Sequence, residues 1–262
     1  MPDSGLSDPL SRPGARRLPA EWEPQEALIL TWPHAGGDWG PMLAEADACF
    51  LSMARAVLDR QRLIISCADP IRARRLGQEL GSGAEIFVLP SNDVWVRDHG
   101  PLAVLDGGRL TLIDCRFDGW GGKYPATEDD RLTRRLAEHG AFGDLPLRYS
   151  DLVLEGGSID TDGRGTLLTT RECLLRNSRN PGLDSRGFEA WFSAGLGCPN
   201  TRWLDHGWLE GDDTDAHVDM LARYIDPQTL VYSCCDDRED PHWEPLRAMG
   251  AELEETTDGM VI

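Results

Sequence analysis

Three polar clusters in this 262-residue chain have the make-up of a site that handles a cation. They read Asn92-Asp93-Val94-Trp95-Val96-Arg97-Asp98, then Glu155-Gly156-Gly157, then Asp212-Asp213-Thr214-Asp215-Ala216-His217-Val218-Asp219. Carboxylates that are neither paired with lysines nor set among histidines suit the grip of a planar cation through two parallel hydrogen bonds. Trp95 could stack on the same plane or wall the pocket. His217 is the natural proton shuttle, and Glu155 or another carboxylate could raise its pKa and fix its tautomer. The ligand these residues imply is a guanidinium or amidinium.

Plainer readings stay open beside that one. Asp98 could pair with Arg97 or cap a turn, Trp95 could be core, Gly156-Gly157 could form a bulge, and His217 could be a satisfied interior histidine. The run from 212 to 219 lacks the spaced glycine and terminal glutamate of an EF-hand loop. A mononuclear metal site from Asp213, Asp215, His217 and Asp219 is a further reading, although a single histidine argues against zinc.

The elements that must position these clusters alternate between helix and strand, so the expected class is α/β. Strand patterns cover 27–32, 63–67 and 85–89; a helical stripe of Met42, Ala46, Phe50, Met53, Ala54 and Val57 and a short helix from Asp69-Pro70 to about Leu80 separate them. Each polar cluster then precedes a β-hairpin with an Asp- or Gly-containing turn: 101–114, 158–170 and 220–233. A helix-compatible stretch follows each hairpin, at 128–139, 185–196 and 239–249. Marked by Asp98, Glu155 and His217, the period is roughly 60 residues, which suits a radial array of α/β modules with the clusters at its axis. Residues 1–20, rich in Ser, Pro, Arg and Gly, are expected to be a mobile leader before a domain spanning 21–262.

Composition narrows the function further. With Lys+Arg 26 against Asp+Glu 45 the formal charge is −19, so a nucleic-acid partner is not expected. No run approaches the roughly 20 apolar residues of a membrane span, and 1–20 has no apolar core of a secretory signal. Seven cysteines at unrelated spacings suit reduced thiols in a soluble cytoplasmic protein.

The clusters, extended to Asp98-His99-Gly100-Pro101 and to Leu154-Glu155-Gly156-Gly157, closely resemble the signature blocks of the agmatine deiminase family, grouped with bacterial-type peptidylarginine deiminases. The segment 26–39, with Thr31-Trp32-Pro33-His34 and Asp38-Trp39, resembles that family's first block, and the resemblance runs from about Trp22 to the end of the chain. It implies the pentein fold, a five-module α/β propeller, and hydrolysis of agmatine to N-carbamoylputrescine and ammonia, a step towards putrescine. Peptidyl-arginine is the alternative substrate. By the same resemblance Asp98 and Asp219 bind the guanidinium, His217 is the general acid/base with Glu155 beside it, and Trp95, Asn92 and Asp213 are substrate-binding. No metal or organic cofactor is implied.

The family's nucleophile is a cysteine in a Gly-rich block near the C-terminus, and this sequence has no such block. Counted in modules the chain is expected to be one short of a closed ring, with exposed strand edges and self-association as consequences. A catalytically silent guanidinium- or polyamine-binding protein on the same scaffold is the second reading, and a metal-dependent hydrolase built on 212–219 is the third.

Overall fold

The computed structural model describes residues 16–256. It is a mixed α/β structure of several small sheets, divided into two compact units. Of the described residues, one unit holds 24–102 and 114–156, and the other holds 16–23, 103–113 and 157–256.

The first unit is built on a parallel sheet of Ala27–Thr31, Arg62–Ser66 and Ala84–Phe87, with Arg62–Ser66 in the middle. Parallel neighbours need a crossover, and the helices Leu43–Leu58 and Pro70–Leu80 supply it. The second starts cleanly because Asp69 accepts a hydrogen bond from the Ile71 amide and Pro70 occupies the first turn, where its missing N–H costs nothing. The central strand is buried from Leu63 to Ser66, and its core joins Trp32, Ala54, Leu63, Ile65, Ala73 and Leu76. Trp32 is tied down at its polar edge, where its indole N–H donates to Asp47 Oδ1 at 2.8 Å.

The other unit repeats the logic with different parts. Thr166–Thr170 pairs in parallel with Asn200–Leu204 on one side and antiparallel with Ile159–Thr161 on the other. Ala222–Asp226 and Thr229–Tyr232 form a separate hairpin. The helix Trp243–Thr256 presents Leu246, Met249 and Leu253, spaced at helical period, to a core with Leu168, Leu204, Val218, Leu221 and Leu230. Leu102–Asp106 and Arg109–Arg116 flank Gly107 and Gly108, whose φ values of 63° and 80° are those a tight hairpin turn demands.

The three expected hairpins are therefore present. The third is shorter than the pattern suggested, because Val218–Leu221 closes a helical turn first. The leader also ends sooner than expected. Arg16 and Arg17 pair antiparallel with Asp106 and Leu105, Leu18 and Ala20 are buried, and Arg17 is paired with Glu23. Those contacts offset the ordering entropy that composition alone suggested would win; the rest of that expectation, 1–15, lies outside the described residues. No helix among them is long and apolar enough to cross a membrane.

Candidate active site

In the first unit the chain leaves the C-terminal end of the strand Ala84–Phe87 and enters the loop that carries the first polar cluster. Loops at the carboxyl ends of parallel strands are where α/β sheets present ligand-binding side chains. This loop is tied by reciprocal bonds. Asn92 Oδ1 accepts from the amides of Glu128 and Asp129 at 2.7 and 3.2 Å, while Asp129 Oδ1 accepts from the Asn92 amide at 2.7 Å and Oδ2 from the Asp93 amide at 3.1 Å. Asp93 in turn accepts from the amides of Val94 and Asp38. Asn92, expected to bind substrate, thus spends its amide oxygen on fixing the loop. Burial pushes the Asp129 carboxyl up to about 6, over the opposing pull of the two amides.

After the clamp comes one helical turn, Val96–His99. It carries Asp98 inward, 7% exposed, and leaves Trp95 at its start 42% exposed, so Trp95 is not a core residue. Asp98 Oδ2 accepts a hydrogen bond from the Trp120 indole N–H at 3.1 Å. Trp120 belongs to a run of four left-handed residues, Gly119 to Gly122, in which its own φ is 58°. Three glycines make the turn affordable, and Asp118 Oδ1 fastens it by accepting from the Gly121 amide at 2.8 Å. The ring is fixed edge-on between Phe117 and Tyr124, with centroids 5.0 and 5.7 Å away. His99 packs against the same Phe117, and burial pushes its pKa down to about 3, so it stands neutral.

Glu155, in the same unit, is fully buried. The amide of Leu154 before it donates to the Arg116 carbonyl at 3.2 Å, and Gly156 after it lies so close to the Arg97 carbonyl that any Cβ would collide. The close contact of this glycine is with backbone, and it ties the Glu155 segment to the one bearing Asp98.

In the other unit the loop after the strand Asn200–Leu204 leads to His217, which is 2% exposed and starts the turn Val218–Leu221. Asp212 spends both oxygens on this loop: Oδ1 accepts from the Thr214 amide and hydroxyl at 2.8 and 2.5 Å, and Oδ2 from the Ala216 amide at 2.7 Å. Thr214 Oγ1 accepts from the His217 amide at 3.2 Å. Thr170, at the end of its strand, donates to the Ala216 carbonyl at 2.7 Å. Asp215, a ligand in the metal reading, has its two oxygens on Arg179 at 2.7 Å and Arg176 at 3.1 Å, which leaves that reading without one of its carboxylates. Asp219 is half-buried on the turn after His217, and Asp213 is exposed.

Two groups near these residues carried no local signal in the sequence. Cys173 Sγ lies within 4.8 Å of a His217 ring nitrogen, and Trp120 reaches Asp98 from 22 residues away. Only the Gly-Trp-Gly-Gly string, rich in positions that tolerate positive φ, hinted at a special conformation around the latter. Burial raises the thiol pKa of Cys67 to about 11 and of Cys115 and Cys198 to about 12, so these three are inert thiols.

The family model for the Porphyromonas-type peptidyl-arginine deiminase matches residues 17–260. The agmatine deiminase of Pseudomonas aeruginosa (strain LESB58) is 36% identical over 97% of this chain and 70% of its own length, and that of Stutzerimonas stutzeri is 34% identical over 92% and 66%. Among solved structures, a cysteine-to-serine agmatine deiminase of C. jejuni with substrate bound superposes with a TM-score of 0.86 at 33% identity, over 94% of this chain and 72% of that one. The agmatine deiminase of Enterococcus faecalis gives 0.82 at 28% identity, over 95% and 69%. A match that spans almost the whole chain, joined to likeness in both sequence and structure, shows that the chain belongs to the Porphyromonas-type peptidyl-arginine deiminase family.

Proposed function

We propose that this chain serves the hydrolysis of agmatine to N-carbamoylputrescine and ammonia, and that it binds the guanidinium through carboxylates. The observation that carries the reading is the buried Asp98, held by one oxygen on an indole N–H and therefore presented in a single orientation. Relatives that are agmatine deiminases make agmatine the first substrate to test.

Guanidinium is a poor electrophile because its charge is delocalised, so a covalent route lowers the barrier by dividing it. In this reading Asp98 and Asp219 bind the guanidinium nitrogens, and Trp95 and Asp213 are further substrate-binding residues. A cysteine thiolate of the family's Gly-rich block attacks the guanidinium carbon. His217 gives a proton to the departing nitrogen, which leaves as ammonia, and then takes one from the water that attacks the amidino-thioether. The carbon–sulfur bond breaks, the carbamoyl product leaves, and the thiolate is restored. Glu155 supports His217 or the substrate as a further carboxylate. Among this chain's cysteines none lies in such a Gly-rich block.

Calorimetry with agmatine and with an arginine-containing peptide tests the binding half. Ammonia release by the chain fused to the part of the P. aeruginosa relative that it does not cover tests the chemistry. Agmatine binding that Asp98→Asn abolishes, with ammonia release from the fusion, is the expected result. Absence of agmatine binding together with a silent fusion overturns the reading, and turnover of the peptide alone moves the assignment to peptidyl-arginine.

A further inference from the structure

The loop that delivers His217 is held in a conformation its residues resist. Asp215 and Ala216 have φ of 69° and 64°. There the Cβ crowds the following carbonyl, which makes the conformation unfavourable for any residue but glycine. Two such residues in succession persist only where the surroundings over-determine them. Asp212, Thr170 and Thr214 hold the backbone of 214–217, as described above. What holds the Asp215 side chain is Arg179, whose own side chain is fully buried.

Arg179 grips two points of the strained turn at once. Its Nη1 donates to Asp215 Oδ2 at 2.7 Å and its Nη2 to the Thr214 carbonyl at 2.8 Å. Arg176, itself paired with Glu172, meets the other Asp215 oxygen at 3.1 Å. A planar fork spans a carboxylate and a carbonyl in one plane, which a point-charge ammonium on a flexible stem does not reproduce.

We infer that Arg179 is a positioning residue for His217: by clamping Asp215 and Thr214 it keeps the chain left-handed through Ala216 and so fixes where the imidazole points. Its catalytic meaning rests on the deiminase reading of His217, whereas the clamp itself does not. The two fail separately in one experiment.

The experiment is NMR of the chain with labelled histidine, the His217 ring signal assigned through His217→Gln. Wild type is compared with Arg179→Lys, Asp215→Asn, Ala216→Gly and the Arg179→Lys/Ala216→Gly pair. In Arg179→Lys and Asp215→Asn the His217 signal is expected to shift or split while the His99 and His139 signals stay in place. Ala216→Gly alone leaves it unmoved, and the pair returns it towards wild type, because glycine adopts the left-handed turn without the clamp. A His217 signal unchanged in the folded Asp215→Asn and Arg179→Lys proteins overturns the proposal, and Asp215→Asn decides alone if the lysine variant does not fold. A signal that moves in both but is not returned by glycine also overturns it, since the conformation would then not be what Arg179 supplies. Titration with agmatine is the separate arm: a wild-type His217 signal blind to agmatine strikes the deiminase reading and leaves the clamp standing.

Discussion

Trp120 donates its indole N–H to Asp98 Oδ2 across 3.1 Å, from a left-handed turn that a tryptophan adopts at a cost. One oxygen of the carboxylate is thereby fixed in direction. Trp120→Phe keeps the ring between Phe117 and Tyr124 and removes only the donor. A hydrogen bond to a charged group contributes about 1.5–3 kcal/mol, so agmatine affinity is expected to fall roughly 10- to 100-fold while the fold survives. Calorimetry checks this, and an unchanged affinity would mean that Asp98 owes its aim to other contacts.

Two glycines separate the needs of backbone conformation from those of space. Gly108 sits at φ 80° with nothing within 4 Å of a Cβ, so Gly108→Ala should cost about 1–2 kcal/mol in stability and leave agmatine binding intact. Gly156 has no such φ but faces the Arg97 carbonyl at a distance no Cβ tolerates. Gly156→Ala must push apart the segments that carry Glu155 and Asp98, and is expected to abolish agmatine binding as well as lower the melting temperature. Equal effects of the two substitutions on binding would refute the distinction.

Most of the architecture could be read locally. Alternating strands and helices from Ala27 to Phe87, the Asp69 cap and the glycine turn at 107–108 each follow from neighbouring residues whose propensities agree. The polar clusters were legible for the same reason, since each is contiguous. What stayed hidden depends on partners far along the chain: Trp120 for Asp98, and Arg179 for Asp215, 36 residues away. Asn92 shows the converse difficulty. An amide side chain in a polar cluster looks like a ligand contact until the backbone amides of 128 and 129 are found on its oxygen.

Thiol chemistry should divide the cysteines by exposure. Cys49 and Cys234 are exposed and Cys235 is half-buried, whereas Cys67, Cys115, Cys173 and Cys198 are buried. Iodoacetamide on the native chain is therefore expected to modify Cys49 and Cys234 first and to spare the buried four until the protein unfolds. Agmatine affinity should be unaffected by that first round. Mass spectrometry of the alkylated peptides, with calorimetry on the same sample, reads both; early labelling of Cys173 or loss of binding would contradict the assignment.

Asp129 makes the stability of the Asn92–Asp98 loop depend on pH in a stated direction. Burial raises its carboxyl from an ordinary 3.8 to about 6, so between those values the folded chain keeps a proton that the unfolded chain has released. Its contribution is fully present below about pH 4 and is lost as pH rises through about 6, on the order of 3 kcal/mol in all. Asp129→Asn cannot titrate and should flatten that part of the curve, whatever constant penalty the lost acceptor adds at every pH. Urea midpoints of the two proteins from pH 4 to 7 provide the comparison. Parallel curves would show that the Asn92 and Asp93 amides hold Asp129 ionised, with their hydrogen bonds outweighing burial.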